Sequence, residues 1–172
     1  MEPGRIIVYT GDGKGKTTAA LGMVMRVLGH GLRVCVVQFI KGQGDYGERL
    51  MAAHLEGLDW VICGEGFVFT QRDQTKNREA ARRGLERAAE IVASDRYDLV
   101  VFDEITYLPT YGFAEVEDIV RIVRTKPSRL SIVMTGRDAR EELIELADTV
   151  TEMKCVKHGY EQGITAQKGV EF

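Results

Sequence analysis

No Cys-x-x-Cys pair, no histidine spacing of the zinc-ligand kind and no apolar run long enough to span a bilayer occur in these 172 residues. Each absence closes a class. Cys35, Cys63 and Cys155 form an odd, scattered set, which excludes a disulfide framework and points to a reducing compartment. Cys35 and Cys155 sit in apolar, strand-like runs and read as core filler. His30, His54 and His158 offer no zinc site. With neither a signal peptide nor a spanning segment, the chain reads as cytoplasmic, with no membrane partner. A net charge of −3 argues against a generic nucleic-acid binder. No internal repeat or low-complexity linker divides the sequence, so residues 1–172 read as one domain. Its 44% apolar and 28% charged content is that of an ordinary globular protein.

What is present is a regular alternation of apolar runs and helical patterns. Strands are expected at Arg5–Tyr9, Arg33–Ile40, Leu58–Cys63, Asp98–Asp103, Leu130–Thr135 and Thr149–Val156. Helices are expected from Thr17, at Asp45–Leu55, Arg72–Ser94, Glu115–Arg124 and Asp138–Ala147. In the third of these, Ala81, Leu85, Ala88 and Val92 recur at helical spacing among charges. The strand runs are continuous rather than alternating, which fits strands covered on both faces. The pattern predicts an α/β fold with a mostly parallel central sheet and helices on both faces. The tail from Lys157 onward carries no clear pattern.

The most specific segment is Tyr9-Thr-Gly-Asp-Gly-Lys-Gly-Lys-Thr-Thr18. It lies between a strand and a helix, the layout of a P-loop. Such a loop turns backbone N–H groups inward on an anion and adds the positive end of the following helix. The ATP-binding set is therefore Gly11, Asp12, Gly13, Lys14, Gly15, Lys16, Thr17 and Thr18. Lys16 would reach the terminal phosphates and the Thr17 hydroxyl would ligate a divalent cation. Counted back from Gly15, the usual first glycine is replaced by Thr10, with glycine one place later at Gly11. Asp12 puts a negative charge into the cradle unless it points away. The second element is Leu99-Val-Val-Phe-Asp103-Glu104, an apolar strand ending in two carboxylates. Ligands of parallel sheets collect beyond the carboxyl ends of the strands, so Asp103 and Glu104 should join Thr17 around Mg²⁺, with Mn²⁺ as the alternative.

Nucleotide binding alone leaves three reaction classes open. Water could attack the γ-phosphate, with Glu104 as base. A small molecule could accept the γ-phosphoryl group. Or a nucleophile could attack the ribose C5′ and expel triphosphate. Arg78, Arg82, Arg83 and Arg87 belong, with Arg72, to one helix and read as a solvated face with Glu79, Glu86 and Glu90, not as an arginine lid.

Six stretches decide between these classes by resemblance: Thr10–Ala20, Val37-Gln-Phe-Ile-Lys-Gly42, Gly64-Glu-Gly-Phe67, Leu99–Glu104, Met134-Thr-Gly-Arg137 and Ala147-Asp-Thr-Val-Thr-Glu-Met153. In this order they closely resemble the ATP:corrinoid adenosyltransferases of the CobA/CobO/BtuR type, and the tail Gly163–Phe172 is similar as well. The resemblance implies a RecA-like P-loop fold and transfer of the 5′-deoxyadenosyl group of ATP to Co(I) of a corrinoid. It further implies a homodimer and an electron-donating flavoprotein reductase. On this reading Lys16, Thr17 and Glu104 are the catalytic candidates. Phe67 and Phe69 would form an apolar wedge under the corrin ring that excludes a lower axial ligand and eases reduction. The family commonly has tryptophan where this chain has Phe69. Some members carry a further N-terminal helix over the partner's site, and beside them the early first strand here leaves two expectations: a more open cavity, or other parts of the chain ordered by an incoming reductase. Lys41 and Arg137 stand at strand ends, facing phosphate, corrin side chains or solvent. The tail either covers adenine or crosses to a partner copy.

Overall fold

The computed structural model describes residues 2–40, 42, 44, 46–64 and 74–171. In chain order the elements are β1 (Ile6–Thr10), α1 (Lys16–Gly29), β2 (Val34–Gln38), α2 (Gly47–Ala52), β3 (Leu58–Ile62), α3 (Thr75–Ala93) and β4 (Leu99–Asp103). There follow α4 (Tyr107–Thr110), α5 (Val116–Arg124), β5 (Ser131–Thr135), α6 (Glu141–Leu146), β6 (Thr149–Glu152) and a 3₁₀ turn, Gly159–Gln162. The strands form one sheet in the order β3-β2-β4-β5-β1-β6, and every pairing is parallel.

Strand parity sorts the core into two layers. Successive side chains on a strand point to opposite faces. Val34, Val36, Leu99, Val101 and Val133 therefore pack with Ala20 and Val24 of α1 on one face. Their neighbours Cys35, Val37, Val100, Phe102, Ile132 and Met134 meet residues of α3, α5 and α6 on the other. All five residues of β2 and of β4 are buried, as the continuous apolar runs imply. Each fully buried side chain of this kind contributes roughly 1.5–3 kcal/mol. The sheet centre is accordingly the stiff platform on which the strand ends are mounted.

The order of strands positions the site. β5 lies between β1, which carries the P-loop, and β4, which carries Asp103. The ends of β1, β5, β4 and β2 thus open on one rim, beyond the carboxyl ends of the sheet where ligands bind.

Several boundaries differ from the sequence reading. β6 stops at Glu152 rather than Val156 and is exposed along its length. It is an edge strand with a partner on one side only. Cys155 lies beyond it and is half-buried, so it is not core filler, whereas Cys35 is buried. Burial pushes the Cys35 thiol up to about 12. α4 was not expected: it is a single turn containing Pro109, too short for any periodicity. Arg72, Lys41, Phe67 and Phe69 lie outside the described residues.

Candidate active site

The P-loop is shaped as much by what packs behind it as by what it would bind. Gly13 N–H donates to Met153 O at 2.6 Å, and Met153 N–H donates to Thr10 O at 2.8 Å. A Cβ on Gly11 would stand 2.5 Å from Met153 O, and one on Gly13 would stand 2.7 Å from the same atom. Both glycines are therefore required by the close approach of the chain leaving β6. Gly15 has φ 109, a left-handed value that a side chain would strain, and it is the residue from which α1 starts.

α1 begins without a side-chain cap. Ala19 N–H is satisfied by Gly15 O. The N–H groups of Lys16, Thr17 and Thr18 precede any intrahelical acceptor, so they face the rim as donors at the positive end of the helix. Thr10, the residue in place of the usual first glycine, has its hydroxyl committed elsewhere: it accepts from Ala139 N–H at 3.2 Å. That bond ties the loop to the turn after β5.

Lys16 Nζ folds back and donates to Gly11 O and Gly13 O, both at 2.6 Å. Burial holds its pKa below the ordinary lysine value, and Arg137 adds to the lowering, while Asp12 and Glu104 work the other way. Asp12 is exposed and borders the cavity, where its negative charge favours the charged form of Lys16.

Asp103 is 1% exposed and carries the best-defined network in the site. Its Oδ1 accepts from the hydroxyls of Thr17 and Thr135, each at 2.8 Å. Its Oδ2 accepts from Gln38 Nε2 at 3.2 Å, and Gln38 Oε1 in turn accepts from Trp60 Nε1 at 3.1 Å. Thr135 Oγ1 also accepts from Glu104 N–H at 2.9 Å. One carboxylate therefore locks β4 to β2, β5 and α1. Glu104, the next residue, has φ 64, an unusual backbone state for a non-glycine residue. It is held there while its side chain lines the same cavity.

This cavity is about 490 Å³ and is lined by Asp12–Thr18, Leu21, Glu48, Glu104, Tyr107 and Arg137. The tail closes one side through Gly169, Val170 and Glu171. Lys14 Nζ and Glu171 Oε1 are 2.9 Å apart. Hydrogen bonds from Lys14 and then from Gln167 N–H hold the Glu171 carboxyl below its usual pKa.

The donor set suits a small divalent cation. Among the described residues no group of three or more His, Cys, Asp or Glu could hold a metal alone. Thr17 Oγ1 donates its proton to Asp103, which leaves its lone pairs for an ion that takes its remaining ligands from phosphates and water. Of the residues expected from sequence, Gly11–Thr18, Asp103 and Glu104 are brought together here. Gln38, Thr135, Tyr107 and Glu171 were not singled out. The signal available for the first two was a polar residue at the C-terminal end of an apolar strand.

An open parallel sheet, a glycine loop feeding a helix and a strand-end aspartate bonded to the loop threonine define a RecA-like P-loop fold. A KaiC-like protein, PH0186 of Pyrococcus horikoshii OT3, shares this fold with TM-score 0.61 and 14% identity, over 91% of this chain and 75% of that one. Sequence places the chain more narrowly. The profile of the ATP:corrinoid adenosyltransferase family BtuR/CobO/CobP matches residues 2–172. A corrinoid adenosyltransferase of Sinorhizobium sp is 43% identical, over 99% of this chain and 81% of that protein. The corrinoid adenosyltransferase of Escherichia coli K12 is 39% identical, over 99% and 87%. The corrinoid adenosyltransferase CobA of Salmonella typhimurium is 37% identical over the same shares. The chain belongs to the BtuR/CobO/CobP family of ATP:corrinoid adenosyltransferases.

Proposed function

We propose that this chain transfers the 5′-deoxyadenosyl group of ATP to the Co(I) centre of a corrinoid and releases triphosphate. The observation that carries the reading is membership of the ATP:corrinoid adenosyltransferase family, joined to a cavity lined by Lys16, Thr17 and the loop that opens α1. The electron pair of Co(I) forms the cobalt–C5′ bond, the C5′–oxygen bond breaks, and its electrons leave on triphosphate while cobalt becomes Co(III). The corrinoid brings the nucleophile, so the chain's own tasks are alignment and stabilisation of the leaving charge.

The ATP-binding residues are Gly11 to Thr18. Lys16 releases the two loop carbonyls and donates to phosphate oxygens instead. The N–H groups of Lys16, Thr17 and Thr18 complete the cradle. Thr17, backed by Asp103 and Glu104, would hold Mg²⁺, which when bound supplies neutralisation of the developing triphosphate charge. Phe67 and Phe69 are the residues proposed for the lower face of the corrin ring.

The functional unit is proposed to be a homodimer of a single-domain chain, served by a flavoprotein reductase in the cytoplasm. Support for self-association comes from the family and from apolar side chains left in water along β6 and the tail, Val150, Val156, Tyr160, Ile164 and Val170. Three free cysteines suit a reducing compartment, and no helix among the described residues is long and apolar enough to cross a membrane.

The test is direct. The protein is mixed anaerobically with MgATP and chemically reduced cobalamin, and the spectrum is followed for the light-sensitive adenosylcobalt product. Its formation only with protein and ATP present supports the reading. No adenosylcobalt with either cobalamin or cobinamide, with ATP bound, would reject it.

A further inference from the structure

Three basic residues among those described line the nucleotide cavity, and they are engaged differently. Lys14 is paired to Glu171. Lys16 donates to two loop carbonyls. The guanidinium of Arg137 makes no hydrogen bond or ion pair with any described residue, although its backbone is fixed from both sides. Thr106 Oγ1 donates to Arg137 O at 2.6 Å, which ties the residue to the loop after β4. Gly136 N–H donates to Tyr9 O at 3.2 Å, which ties it to the end of β1. Gly136 itself has φ 140, and a Cβ there would stand 2.1 Å from Thr106 Oγ1, so only glycine permits this turn. The result is an exposed guanidinium on a clamped backbone, bordering a cavity that Lys16 also lines.

We infer that Arg137 is a catalytic residue that contacts the triphosphate of ATP and stabilises it as the leaving group, together with the P-loop lysine that lines the same cavity. The inference rests on the adenosyl-transfer reading and adds a residue to it. Two cations set on one cavity repel until a polyanion lies between them, and Arg137 does depress the pKa of Lys16. A guanidinium suits the task because its planar fork matches two oxygens of a phosphate at once. Fixing the backbone and leaving only the side chain to adjust keeps the cost of engaging the ligand low. The charge that grows on the departing oxygen then meets Arg137, Lys16 and the helix end together.

The alternative ligand for Arg137 is a side chain of the corrinoid, and one pair of titrations separates the two. Inorganic triphosphate with Mg²⁺, and MgATP, are titrated by calorimetry into the wild-type protein, Arg137→Gln and Arg137→Lys, without corrinoid. Arg137→Gln is expected to bind both about 10- to 100-fold more weakly, the range for a lost charged hydrogen bond, with an unchanged melting temperature in the absence of ligand. Arg137→Lys is expected to recover part of the loss, because it keeps the charge and gives up the fork. Turnover with pre-reduced cobalamin should fall in kcat with the cobalamin KM unchanged. Equal triphosphate affinity in Arg137→Gln overturns the inference, as does a defect confined to the cobalamin KM, or one that lysine does not relieve. Failure of the wild-type protein to form adenosylcobalt would instead strike the adenosyl-transfer reading and leave the triphosphate titration standing.

Discussion

Two charged contacts border the same cavity and are built on opposite terms. Asp103 is 1% exposed and takes hydrogen bonds from Thr17, Thr135 and Gln38, one from each of three different elements. Lys14 and Glu171 meet in a single ion pair with side chains 53% and 30% exposed, and the acid belongs to the last residues of the chain. The first contact cannot yield without disturbing β2, β4, β5 and α1 together. The second is a surface ion pair, weakened by solvent screening. The difference separates a fixed wall, which on the proposed reading would set where phosphate and cation sit, from a weaker strap, which on that reading would part when a ligand enters.

The largest effect is expected at the fixed wall. Lys16→Ala should lower the adenosylation rate by about 10³-fold or more and abolish detectable triphosphate binding, both read with pre-reduced cobalamin and by calorimetry. Retained triphosphate affinity would mean that the lysine does not serve the leaving group. Asp103→Asn keeps the shape and removes the charge behind Thr17. It should cost about 10²-fold in rate at low Mg²⁺, with part of the loss recovered as Mg²⁺ is raised. A loss insensitive to the cation would place Asp103 in the scaffold alone.

Gly13→Ala probes the contact between loop and tail strand. Its Cβ would meet Met153 O at 2.7 Å and Lys154 C at 2.8 Å, both backbone atoms that cannot swing aside. A destabilisation of about 1–3 kcal/mol in urea unfolding is expected, together with weaker ATP binding. Wild-type stability would show that the loop can move off Met153 at little cost.

The strap should respond least. Glu171→Gln should change MgATP affinity by about 2- to 5-fold, and Lys14→Ala should cost more, because it removes an ATP-binding side chain as well as the ion pair. Because Lys14 holds the Glu171 pKa below 4.5, the pair persists above that pH and is lost as pH falls through the lowered value. The Gln167 amide chemical shift, which reports the bond its N–H donates to Glu171 Oε2, should therefore be steady from neutral pH down to about 4.5 and move only below it.

How much of this could be read from the sequence follows the range of each contact. The P-loop is a local motif, so strand, loop and helix were all placed within a few residues. Asp103 was readable because an apolar run ends in a carboxylate. Gln38 and Thr135 become part of the site only through strand register, which sets Gln38 against Asp103 and brings β5 between β1 and β4. The reason for glycine at 11 and 13 lies at Met153, and the partner of Lys14 lies 157 residues away. Neither is encoded in the spacing of neighbours. β6 was expected to run four residues further because its apolar pattern continues, but beyond Glu152 the chain turns to cover the P-loop.

The central claim concerns which bond of ATP breaks, and phosphorus NMR of the spent reaction decides it. With stoichiometric ATP, Mg²⁺ and Co(I) cobalamin, the phosphorus signal is expected to become that of inorganic triphosphate, one per adenosylcobalt formed. ADP with phosphate, or ADP alone, in place of triphosphate would show that the cradle delivers the γ-phosphoryl group and would contradict the role assigned to Lys16, Thr17 and Arg137.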